Sequence, residues 1–202
     1  MNKVALIMAA HPDDAEIAMG GEIVHLVNKG YKVTLVIFSV PENFQRVSEA
    51  EQACKYMGIN LKTFLQNEQV GNVKQDKLVK LVDSIIIQNK PNVVFTHWEH
   101  DAHDDHRKLF RAVQSSTRLW PFSLISFGPP NINSSNFLDF TPNYFVDINL
   151  DQKIEILHFH KTEVLRKSYP ELTVRMMAKL YGTCAQKDYA EGFFIYRLIK
   201  TT

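Results

Sequence analysis

An α/β fold, built on a mostly parallel sheet with helices on both faces, is predicted by three features of this chain. Short continuous apolar runs alternate with amphipathic stretches, the connections are long enough to carry crossover helices, and each run stops at a turn-forming or charged break. A run buried on both sheet faces reads as continuous hydrophobicity, whereas a helix covering it shows one apolar stripe.

The elements follow in order. "VALIMAA" (4–10) is a buried strand ended by His-Pro. From Asp14 to Lys29, Ile17, Met19, Ile23, Leu26 and Val27 recur at helical spacing, and Gly30 supplies the stop. "KVTLVIFSV" (32–40) is a second strand, 44–57 a helix closed by Gly58, and "LKTFLQ" (61–66) a shorter strand. A helix over 73–89 leads to the strand "PNVVFTHW" (91–98) and a further helix over 104–119. The last third is less regular: a loop at 127–137, a strand at 143–150, a helix over 151–167, a second over 170–181, and a closing strand at 192–199. Together these give a Rossmann-like three-layer sandwich. No linker, repeat or low-complexity tract interrupts the 202 residues, so one domain over 1–202 is expected.

Composition narrows the function. A net charge of +1 gives no footprint for nucleic acid and no polybasic membrane surface. No segment approaches the ~20 apolar residues of a membrane span, and the opening apolar run is too short for a secretory h-region. Cys54 and Cys184 stand far apart, which argues against a disulfide framework and for a reducing, cytoplasmic setting. The loop after the first strand reads "AHPDD" where a dinucleotide fold carries GxGxxG, so a dinucleotide is not the expected ligand.

Two strands instead end on side chains able to hold a metal. The first presents His11, Asp13 and Asp14; the fourth runs into "THWEHDAHDDHRKLF", where four of the eight histidines (His97, His100, His103 and His106) recur every third residue. Adjacent carboxylates repel and are costly to desolvate unless a positive object lies beside them. Both clusters follow parallel strands and should share one rim of the sheet, where a dication would relieve that repulsion. Imidazole and carboxylate donors suit Zn²⁺, with Fe²⁺, Co²⁺ or Ni²⁺ as alternatives.

"AAHPDDAE" and the later "DAHDDH" resemble the paired signatures of the PIG-L/LmbE-like zinc deacetylases, AHPDDxE and HxDH. Three further stretches extend the resemblance over most of the chain: "RVSEAEQACKYMGI", "FTPNYFVDINLDQKIEIL" and "YAEGFFIYR". That resemblance implies a Rossmann-like enzyme that removes an acyl group, usually acetyl, from the nitrogen of an amino sugar or its conjugate. It implies His11, Asp14 and His106 as metal ligands, Asp13 as general base, and His103 as a protonated second catalytic group. Asp105 would orient His103 and help keep it protonated. Arg46 would face the substrate, and Tyr189 would contact the oxyanion. The partner is then a small N-acylated amino sugar, with a homo-oligomer left open.

The remaining residues receive plainer readings. His97 and His100 should line or rim the pocket; His25, His158 and His160 should be surface or packing residues. Glu16 needs only a helix dipole, and Gly20 and Gly21 allow close approach of helix and sheet. Trp98 and Trp120 should pack. The chain also departs from the family. "SFGPPN" replaces a Tyr-Glu pair, leaving Gly128 or a neighbour in place of the glutamate; "HKTEV" replaces a Ser-Gln pair; "SVPENFQ" replaces an acidic loop. Two other functions compete with a deacetylase: a metal-dependent sugar-binding protein without turnover, and a metallo-phosphoesterase, which would need a second metal.

Overall fold

β1 (Lys3–Ala9) is hydrogen-bonded on one side to β2 (Tyr31–Ile37) and on the other to β4 (Val93–Thr96), all three parallel. It is the strand from which the chain winds both ways. The computed structural model describes residues 3–39, 44–65, 68–129, 135–166 and 171–200. In it, β3 (Asn60–Thr63) lies outside β2, and β5 (Ser123–Phe127) lies beyond β4, still parallel. β7 (Ala190–Arg197) and β6 (Tyr144–Asp147) complete the edge antiparallel, giving the order β3-β2-β1-β4-β5-β7-β6.

The period of two along the strands sorts their side chains to opposite faces. Ala5, Ile7 and Ala9 pack with Met19 and Ile23 of α1 (Asp14–Asn28), Ala50 and Ala53 of α2 (Phe44–Met57), and Ile156 of α5 (Leu150–Leu157). Leu6, Met8 and Ala10 pack against α3 (Gln75–Asn89) and α4 (Asp104–Ser116) through Leu78, Val82, Leu109 and Val113. The expected three layers are therefore present. α6 (Lys161–Arg166) and α7 (Glu171–Ala185) complete the helices.

Several boundaries differ from those read in the sequence. The helix expected over 151–167 is two helices, α5 and α6, separated by a turn at His158–His160. That turn is needed to drive His160 into the interior, where it is 1% exposed. α7 runs to Ala185, beyond the expected stop at 181. β5 carries Ser123 and Ser126 among three apolar residues, so its sequence does not read as a strand, although all five residues are buried. The ends of the expected strands at residues 40 and 66, the loop segments 41–43 and 130–134, and the end of the expected helix at 167 lie outside the described residues. Among the described residues, no helix is long and apolar enough to cross a membrane.

Winding both ways from β1 sends α1 across one face and α3 across the other. The carboxyl ends of β1 and β4 thus flank the crevice where the strand order reverses, the usual ligand position in such sheets.

Candidate metal centre

The chain leaves β1 through Ala10 and His11 and turns sharply into α1. Asp13 makes that turn with φ at 92°, a left-handed conformation costing a non-glycine residue ~1–3 kcal/mol. The turn brings His11 and Asp14 together, and the backbone N–H of His11 donates to Asp14 Oδ2 at 2.8 Å. From the other strand, the loop 97–103 and the first turn of α4 deliver His106.

Three donor atoms converge. Nδ1 of His11 lies 3.3 Å from Asp14 Oδ2, Nε2 of His106 lies 3.4 Å from that same oxygen, and the two ring nitrogens are 3.4 Å apart. A tetrahedral cation with N and O donors at about 2.0–2.1 Å requires donor-to-donor edges of roughly 3.3–3.4 Å. The triangle has that size, so two imidazoles and a carboxylate fit zinc in both chemistry and spacing. Electrostatics agree. Burial opposes charge on both rings, yet the Asp14 carboxylate and hydrogen bonds to further carboxylates hold His11 up to about 10 and His106 up to about 9. Burial likewise opposes charge on Asp14, but His106 and His11 keep its carboxyl well below the usual range. The site demands positive charge.

Each of these two rings is gripped from behind. Asp101 Oδ2 is 2.9 Å from His106 Nδ1, which leaves Nε2 to face the triangle. Asp105 Oδ2 is 3.1 Å from His11 Nε2, which leaves Nδ1. A carboxylate on the far nitrogen fixes the tautomer and orientation of a metal-binding histidine. Asp105 Oδ1 also accepts the N–H of Gly71 at 2.8 Å. A β-carbon at Gly71 would come within 2.6 Å of that oxygen, so the approach requires glycine. Sequence reasoning missed the role of Asp101, whose only signal was its place five residues before His106.

His103 caps α4, its Nδ1 accepting the N–H of Asp105 at 3.2 Å, and its ring stacks on His106 with centroids 4.6 Å apart. The expected orientation of His103 by the Asp105 carboxylate is not found, because those oxygens are committed to His11 and Gly71. The Asp105 backbone N–H, not its carboxylate, is hydrogen-bonded to the ring. Burial, then the neighbouring His106 and His11, push His103 below its ordinary value, while the Asp105 charge pulls the other way. Nδ1 is an acceptor here, so the neutral ring carries its proton on Nε2.

Asp13 stands beside the triangle without joining it. Its Oδ1 accepts from NH2 of Arg46 at 3.1 Å, and the same nitrogen donates to the carbonyl of Pro12 at 2.9 Å. Burial and the adjacent Asp14 push the Asp13 carboxyl well above the usual carboxylate range, which suits a proton acceptor. On its far side Arg46 meets Glu163 Oε1 of α6 at 3.0 Å.

His97 corrects its reading. It is not on a rim but wholly buried beneath His106, the rings stacked 3.8 Å apart at 12°, with its Nε2 3.4 Å from Asp14 Oδ2. Its Nε2 accepts the N–H of Ala10 at 2.9 Å, tying the ends of β4 and β1 together. Burial, then His106, holds it well below the ordinary histidine value. His100 is exposed beside Glu99.

Of the two readings for His160, packing is the one found: it pairs with Glu16 at 3.1 Å, both about 1% exposed, so Glu16 does more than complement a helix dipole. Tyr189 packs with the apolar cluster of α1, α5 and α7, under Lys179. Trp98 is buried against Phe140, and Trp120 donates to Pro91 O before β4, so it lies at the opposite edge of the strands.

Comparison with known proteins adds to this geometry. The family described as PIG-L, GlcNAc-PI de-N-acetylase, matches residues 6–117, which carry both ends of the metal triangle. The chain is 24% identical over 174 residues to YaiS of Escherichia coli K12, named an uncharacterized deacetylase, covering 79% of this chain and 91% of that one. It is 23% identical over 227 residues to the diacetylchitobiose deacetylase of Thermococcus kodakarensis, covering 94% and 82%. Among solved structures, GalB, the 4-carboxy-2-hydroxymuconate hydratase of Pseudomonas putida KT2440, superposes with a TM-score of 0.82 at 18% identity over 99% of this chain and 98% of that one. The last likeness establishes the fold alone, and that fold therefore serves more than one reaction.

Proposed function

The chain belongs to the PIG-L family of GlcNAc-PI de-N-acetylases, and from that premise we propose that it is a metal-dependent N-deacetylase of an amino sugar or amino-sugar conjugate. The observation that carries this reading is the donor triangle of His11, Asp14 and His106 with an unligated acid, Asp13, at its side. A site built only to bind would have no use for Asp13, held in a strained turn and with its affinity for a proton raised.

His11, Asp14 and His106 would hold the cation, with zinc the first choice. When bound there, such an ion supplies Lewis acidity, polarising the amide carbonyl and lowering the pKa of water from 15.7 towards ~7. The rest falls to the chain. Asp13 receives the proton of the attacking water on the carboxylate oxygen that Arg46 does not occupy. His103, neutral with its proton on Nε2, donates a hydrogen bond to the oxygen developing negative charge, a contribution of roughly 3–4 kcal/mol for one such donor. Asp13 then returns its proton to the departing amine, which leaves as a free amino sugar beside acetate. Asp101 holds His106 and, through Oδ1 on the His103 N–H at 2.9 Å, the loop that presents His103.

Among the described residues, the three groups able to hold a metal all draw on His11 or His106. This favours one ion per chain over the two that a binuclear phosphoesterase needs. The fluorescamine-reactive amine and acetate released from N-acetylglucosamine and N,N′-diacetylchitobiose test the reading. Chelation should abolish release and added Zn²⁺ restore it. Loaded protein that frees no acetate from a broad N-acyl sugar panel would refute it. The free thiols of Cys54 and Cys184 support a reducing compartment as its setting.

A further inference from the structure

A guanidinium next to the reacting atoms is the natural receptor for a phosphate or carboxylate on a substrate, since its planar fork matches either anion. Arg46 already lies between two carboxylates. NH2 serves Pro12 O and Asp13 Oδ1, and Nε faces Glu163 Oε1 at 3.0 Å. The guanidinium side chain is 15% exposed between two carboxylates that are 8% and 6% exposed. Two carboxylates thus flank one guanidinium, and the nearby His160–Glu16 pair is itself one carboxylate against one imidazole. An anion docking on Arg46 would crowd two buried carboxylates that already share its guanidinium.

We propose that Glu163 sets the charge preference of the site, directing it to an uncharged N-acetylated sugar and away from phosphorylated or carboxylated ones. The inference rests on the deacetylase reading and names its substrate class. Glu163 acts through Arg46 and is a positioning residue. Its effect can be separated from a merely structural one, because α6 has its own anchor: Thr162 donates to Glu49 from its backbone N–H at 3.0 Å and its hydroxyl at 2.8 Å. Removing the charge at 163 leaves those bonds intact.

The test compares metal-loaded wild type, Glu163→Gln and Glu163→Asp on N-acetylglucosamine and on its 1- and 6-phosphates. Both kcat/KM and calorimetric Kd are read. Wild type should favour the uncharged sugar by about tenfold or more, and Glu163→Gln should shift the ratio towards the better phosphate by about tenfold, mainly in KM. Glu163→Asp, which keeps the charge, should retain the wild-type ratio. The proposal falls if wild type shows no preference, if Glu163→Gln weakens both sugars equally, or if Glu163→Asp shifts the ratio as far as Glu163→Gln. Should wild type release acetate from none of them, the deacetylase reading fails, and the charge preference stands or falls on the Kd ratios. Undetectable binding of all three sugars also overturns it.

Discussion

The Asp101 carboxylate grips the site from both sides of its loop, taking Nδ1 of His106 with one oxygen and the backbone N–H of His103 with the other, each at 2.9 Å. One buried side chain thus fixes both His106, proposed as a metal ligand, and the backbone of His103, proposed as the oxyanion donor. Its loss should be felt in both.

Asp101→Asn replaces an obligate acceptor with an amide that can satisfy only part of this pattern. Zinc affinity should fall by about 10–100-fold, as for other outer partners of ligating histidines. Competition with a fluorescent chelator measures it; an unchanged zinc Kd would remove Asp101 from the metal's support.

Asp13→Asn keeps the size of the side chain and removes the proton acceptor. Turnover should drop by roughly 10²–10⁴-fold, while zinc affinity stays near that of the parent because Asp13 is outside the donor triangle. Parallel loss of zinc and activity would instead make Asp13 a ligand.

Gly71→Ala forces a β-carbon to within 2.6 Å of Asp105 Oδ1 unless the carboxylate withdraws from His11. We expect a loss of stability of about 1–3 kcal/mol and weaker zinc binding together. A variant that melts and binds zinc like the parent would show that the wall over Asp105 yields freely.

Glu22 lies buried against Glu191, and burial, then that neighbour, raises its carboxyl from 4.5 to about 8. An acid raised on folding binds more protons folded than unfolded between those values. Stability contributed by the neutral form is therefore full below 4.5 and declines as pH climbs to about 8. Glu22→Gln should melt like the parent near pH 4.5 and above it at pH 9, by several degrees. Identical melting curves at pH 9 would show Glu22 to be solvated.

How much of this was legible depended on whether partners were close in sequence. The break at His11 and the turn through Asp13 and Asp14 announce themselves in one short stretch, and the periodicity of β1 to α4 follows from continuous burial. His97 was visible as a histidine, but its partner, the Ala10 N–H, is 87 residues away and has no side-chain signature. Asp105 misled for the opposite reason. Its nearness to His103 suggested a pair, yet as the first turn of α4 forms, its backbone N–H caps onto the ring while its carboxylate swings to His11. The split between α5 and α6 followed from a buried pair, Glu16 with His160, spanning 144 residues. No local pattern encodes such a pairing.

Asp13 holds its backbone where glycine would rest comfortably, at a φ of 92°. Asp13→Gly should relieve that strain yet strip Arg46 of a buried partner, and it should hydrolyse nothing. An aspartate at this bend accepts a strained backbone to set a carboxylate beside His11 and Asp14, where glycine would leave none.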